Sequence, residues 1–186
     1  MNRRELLKMI SAATGYALIG SPVLMSACSR ASEYSGSAFS GADVGLLAEI
    51  AETIIPRTST PGASDAEVAP FIAMMVEDCY SNADQAAFHE GLVAFNHDCS
   101  STYKTQFASL SPELKTEFLT DLDIQARDYQ RAEGGSAHYF TMIKQLTLLG
   151  FFTSEIAQKE VLRLVPIPGS FDGCYPLQKG EAAWAI

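Results

Sequence analysis

Apolar residues recur at helical spacing through most of this chain. Leu46, Leu47, Ile50 and Ile54 predict a helix over Val44–Ile55, capped by Asp43 and stopped by Pro56. Pro56 to Gly62 reads as a turn-rich loop. Ser64-x-x-Glu67 matches a capping box, so a second helix is predicted from there to about Tyr80, with Phe71, Ile72, Met75 and Val76 on its apolar face. Asn82 is placed to cap a third helix, Ala83 to about Phe107, turning Phe88, Leu92, Val93 and Phe95 inward. Ser111-Pro112-Glu113 opens a fourth, because proline in the first helical position gives up no hydrogen bond. Its stripe is Leu114, Phe118, Leu119 and Leu122, and Gly134-Gly135 breaks the chain after it. Ser136 opens a very apolar helix, Tyr139–Phe152, with a short continuation over Ser154–Leu164. Beyond Val165, Pro166, Pro168, Gly169, Gly173 and Pro176 interrupt any periodicity, and no alternating strand pattern competes with the helices. The expected fold is all-α: a small irregular bundle of about five helices over residues 43–186, with a long Pro/Gly-rich C-terminal arm.

The N-terminus has a different pattern. Arg3 and Arg4 are followed by Glu5, Leu6, Leu7 and Lys8, close to the twin-arginine export pattern S/T-R-R-x-F-L-K, with Asn2 and Leu6 as departures. The apolar run that follows, Met9–Leu24, is about 16 residues, short of the ~20 needed to span a bilayer, and Gly15, Gly20 and Pro22 interrupt it. A charged start, a short apolar middle and small residues at the end describe a signal peptide over residues 1–27, recognised by the twin-arginine translocase. Ala27-Cys28 resembles the end of a lipobox, with Met25 where Leu is usual, so Cys28 is a candidate lipidation site. Residues 28–42, rich in Ser, Gly and Ala, read as a flexible tether. The expected location is periplasmic, with membrane association through a partner or an anchor at Cys28.

Charge narrows the partners. The chain carries a net charge of −9, and removing residues 1–27 makes the remainder two charges more negative. Nucleic acid and anionic membrane surfaces both demand the opposite sign. The search for chemistry returns little. There is no G-x-G-x-x-G, no C-x-x-C-H, and no C-x-x-C or H-x-x-x-H spacing. His89 and His97 lie about two helical turns apart, roughly 12 Å, too far to share one metal easily. His97-Asp98 invites a catalytic reading, but adjacent helical residues point in different directions. His138, Asp121, Asp123 and Asp128 also read as helix surface, and Ser154-Glu155 as a helix start. No catalytic, cofactor-binding or metal-ligating residue is assigned.

Cys28, Cys79, Cys99 and Cys174 are the cysteines. If the second and third helices form a hairpin near Asn82, Cys79 and Cys99 are offset by roughly 18 Å, whereas a disulfide needs Cα atoms within ~7 Å. Cys174 lies in the irregular arm, where it either bridges to another chain or docks the arm to this one.

Residues 48–63, continuing to Asp65, Val68 and Phe71-Ile72, resemble the opening block of the gluconate 2-dehydrogenase subunit 3 family. Residues 149–156, followed by Pro168-Gly169 and residues 171–177, are similar to its closing block, with a departure at Ala157, where the family usually has Gly. The resemblance implies a cofactor-free, non-catalytic small subunit of a membrane-bound FAD-dependent sugar or sugar-acid dehydrogenase. It implies two partners: a large FAD-containing subunit and a multihaem cytochrome c subunit carrying haem c. It also implies a role in folding and exporting the flavoprotein. The loop at Pro56 and Pro61 and the arm residues Phe171, Tyr175 and Trp184 are then the candidate contact surface, since interfaces favour aromatic anchors. The alternative is an independent periplasmic lipoprotein acting as a binding or structural module.

Overall fold

The computed structural model describes residues 38–133, 137–167, 169–170, 172–176 and 178–185. Arg3, Arg4, Leu6, Leu7, Lys8, Cys28, Gly134, Gly135, Ser136 and Phe171 lie outside the described residues. Among those described, the all-α expectation holds. Six α-helices run as α1 Gly41–Ile54, α2 Val68–Cys79, α3 Asn82–Tyr103, α4 Pro112–Glu133, α5 Tyr139–Thr153 and α6 Glu155–Glu160. A 3-10 turn, Phe107–Ser109, links α3 to α4.

The folded unit starts upstream of Asp43. Phe39 is buried with its ring edge-on to Phe88, centroids 5.7 Å apart, so the tether expected over 28–42 gives way to packed structure at Phe39. Ser40, not Asp43, caps α1. The Ser40 hydroxyl accepts the Asp43 amide, and the Asp43 carboxylate accepts the Ser40 amide, a reciprocal box that satisfies two otherwise orphaned donors. α3 likewise begins one residue early, on Ser81.

The start of α2 differs more. Ser64 to Glu67 form a turn, Glu67 adopts left-handed backbone (φ 50°, ψ 40°), and helix begins only at Val68. Pro70 explains this. In a helix capped by Ser64, Pro70 would sit in the interior and remove a needed N–H; in one starting at Val68, it falls in the first turn, where no N–H partner is required. α3 stops at Tyr103 rather than Phe107, because Lys104 turns left-handed (φ 58°) and its amide closes on the Ser100 carbonyl at 3.0 Å. That turn lets Phe107 reach the core, where its ring meets Phe95 at 5.1 Å. Val93, expected inward, is 71% exposed, because Phe88, Leu92, Phe95 and Cys99 form the inner stripe of α3. Leu114 also lies at the surface, leaving Leu119, Leu122 and Ala126 as the buried stripe of α4.

α5 is the centre of the bundle and packs against each of the other five helices. His138 is its N-cap, the imidazole Nδ1 accepting the Phe140 amide at 3.2 Å. Lys115 to Glu49 (2.6 Å) ties α4 to α1, and Lys144 to Asp123 (2.7 Å) ties α5 to α4. Past α6 the chain forms a two-residue strand, Arg163–Leu164, which pairs in parallel with Trp184–Ala185. The C-terminal arm, expected to be irregular throughout, therefore returns to its own domain. No described helix is long and apolar enough to cross a membrane.

Candidate docking surface

The loop after α1 is held from below by one side chain. Glu52 Oε1 accepts the Arg57 amide at 2.8 Å and Oε2 accepts the Ser64 amide at 2.9 Å. Asp65 completes the clamp: it accepts the Gly62 amide at 2.9 Å and pairs with the Arg57 guanidinium. Gly62 is dictated by this packing, since a Cβ there would lie 2.6 Å from both the Arg57 amide nitrogen and Glu52 Oε1. Burial pushes the Glu52 carboxyl up in pKa, but the Ser64 and Arg57 amides, with the Arg57 charge, outweigh it and hold it below the ordinary glutamate range. The result is a shaped loop, on which Pro56 is exposed and Pro61 half-buried.

Behind this loop, α2 lies against α5. Phe71 presses on Gly150, where an added Cβ would come within 2.6 Å of the Phe71 ring. The glycine therefore sets how closely the two helices approach. The two sequence blocks at 48–72 and 149–156 are thus neighbours in space. Where they meet, an open groove of about 490 Å³ runs between Asp65–Glu67 and the start of α6, with Ser154, Ile156, Lys159 and Glu160 on its far wall. Ser154 caps α6 by accepting the Ala157 amide at 3.2 Å, a helix start as its sequence context predicts.

The outer side of α5 adds an apolar face. Leu148, Leu149 and Phe152 are all exposed, while Phe140, Ile143, Leu146, Thr147 and Phe151 are buried. The contact surfaces expected from sequence are the loop and the arm, and this face is not among them. The signal was present: a helix apolar on all sides needs neighbours on all sides.

Tyr175 and Trp184, both partly exposed, pack edge-to-face at 5.5 Å. The Arg163 guanidinium sits 4.1 Å from the centre of the Trp184 ring and bonds to Glu181 at 2.9 Å. Cys174 is exposed beside them, its amide bonded to Asp172. Among the described residues Cys79, Cys99 and Cys174 form no disulfide with one another; burial pushes the Cys99 thiol up in pKa.

The histidines are separate. His89 stacks on Phe39, His97 is surface-exposed beside Asp98, and His138 caps α5. Among the described residues, no group of three or more His, Cys, Asp or Glu is placed to hold a metal ion. A second depression, about 210 Å³ between α1, α4 and α5, is bordered by Thr53, Thr116 and Thr120, whose hydroxyls all donate back to carbonyls of their own helices.

A family model, gluconate 2-dehydrogenase subunit 3, matches residues 42–169, well over half of the chain and all six helices apart from the first residue of α1. No curated protein matches the chain, and no solved structure does.

Proposed function

Because the chain belongs to the gluconate 2-dehydrogenase subunit 3 family, we propose that it is the non-catalytic small subunit of a periplasmic FAD-dependent sugar or sugar-acid dehydrogenase. In this reading it helps the flavoprotein subunit fold and carries it through the twin-arginine translocase, and a multihaem cytochrome c subunit receives the electrons. FAD and haem c belong to the partners. The membrane is reached through the complex or a lipid at Cys28.

The family match carries the proposal, and the physical logic agrees with it. A flavoprotein must close around FAD before export, and a translocase that accepts folded cargo allows a folded pair to cross on one signal. Arg3-Arg4 supplies such a signal in this chain. A strongly acidic helical domain with an apolar face at its surface is suited to gripping another protein.

Co-expression with a candidate FAD-dependent dehydrogenase subunit as the flavoprotein partner tests the proposal. Wild-type chain is expected to place FAD-dependent dehydrogenase activity in the periplasm, and Arg3→Lys with Arg4→Lys to leave the flavoprotein in the cytoplasm. Unchanged periplasmic activity with the double-lysine chain, or without the chain, overturns the escort role.

A further inference from the structure

Among the described residues, part of the outer face of α5 stays uncovered, although this helix packs against each of the other five. Leu148, Leu149 and Phe152 are 40%, 46% and 42% exposed. At positions i, i+1 and i+4 they span about 100° of the helix, one continuous face. Two residues beyond Phe152 the chain turns at Ser154 into the groove shared with Asp65–Glu67. Gln158 ties the two together, its side-chain amide reaching the Phe152 carbonyl at 3.3 Å. In the groove Asp65 is neutralised by Arg57, and Glu155 by Lys159. Glu67 and Glu160 form no ion pair among the described residues.

We infer that this apolar face and the acidic groove at its end form one docking surface for the flavoprotein subunit, and that the partner brings apolar side chains flanked by a Lys or Arg that meets Glu67 and Glu160. The inference rests on the subunit reading above. Charge complementarity selects the occupant. A second copy of this chain would bring its own carboxylates to the groove, on a surface of net charge −9. An anionic bilayer is excluded by the same repulsion. A guanidinium fits best, because its planar fork bonds carboxylate oxygens directly. The apolar face supplies most of the affinity and the carboxylates set register and salt dependence.

The test measures binding of the full chain to the purified FAD-loaded flavoprotein. Leu149→Glu with Phe152→Glu is expected to weaken the complex about tenfold or more. Glu67→Gln with Glu160→Gln is expected to weaken it less and to flatten its dependence on salt. Val93→Glu, on the exposed side of α3, is expected to change neither. Thermal unfolding of each variant checks the fold; if the glutamate pair on α5 does not fold, Leu148→Ser with the two glutamine substitutions decides. Wild-type binding that all these variants retain overturns the surface and leaves the subunit reading standing. Failure of the wild-type chain to bind the flavoprotein overturns both. Self-association or binding to anionic vesicles that these substitutions abolish, with flavoprotein binding intact, also overturns the inference.

Discussion

Glu52 reaches across twelve residues to accept the backbone amide of Ser64 at 2.9 Å, and so closes the loop that α1 opens. Its other oxygen holds the Arg57 amide. Glu52→Gln places an amide donor against one of these N–H groups and is expected to cost about 1–3 kcal/mol, read as a lower urea midpoint. The wild-type contribution is complete above the ordinary glutamate range, because the folded carboxyl is held below it. It is lost as pH falls through that lowered value. Unfolding curves between neutral and acid pH should therefore show a shallower acid limb for the glutamine variant.

Thr147 is fully buried in α5, and its hydroxyl has no hydrogen-bond partner among the described residues. Replacing a buried, unpaired polar atom with an apolar group of the same shape removes a desolvation cost. Thr147→Val keeps the β-branch and is expected to raise the midpoint of thermal unfolding, by about 1 kcal/mol in stability. A lower midpoint would show that the hydroxyl is satisfied in solution.

His138 works as a cap only when its Nδ1 is unprotonated, since that atom accepts the Phe140 amide. The Tyr139 ring lies 4.5 Å away and the Tyr129 ring 5.4 Å, and burial holds the imidazole below its ordinary pKa. Its stabilising effect is full above the ordinary histidine value and is lost as pH falls through the lowered folded one. Stability measured from about pH 7.5 down to about pH 5 should fall, and His138→Asn, which retains a capping oxygen, should lessen that fall.

Among the described residues, Arg163 fastens the arm. Arg163 both stacks on Trp184 and pairs with Glu181. Arg163→Ala is expected to release residues 165–183 to limited proteolysis while the helical domain keeps its melting temperature, because these contacts lie outside the main core. Equal cleavage rates in variant and wild type would show that the backbone pairing of Arg163–Leu164 with Trp184–Ala185 is enough to hold the arm.

The helices are legible in the chain wherever the signals for them are local. Ser111-Pro112 starts α4 and Ser154 starts α6 as their sequence contexts predict, since a cap depends on atoms within one turn. Ser64-x-x-Glu67 has the same local form and misleads, because Pro70 and the Glu52 clamp compete for the same backbone. The proline was a legible signal; the clamp was not, being a contact across twelve residues. Val93 was misplaced for a related reason, as a helix with apolar residues on adjacent faces does not state which face the rest of the molecule covers.

Helical periodicity, capping residues and the two blocks at 48–72 and 149–156 were enough to establish an all-α chain and its family, because these features act over a turn or are carried residue by residue. Only the packed molecule could place those two blocks side by side, fold the arm back on Arg163, and leave Leu149 and Phe152 uncovered. Each of these depends on contacts between residues far apart in the chain, and burial is a property of the whole assembly of helices rather than of any one of them.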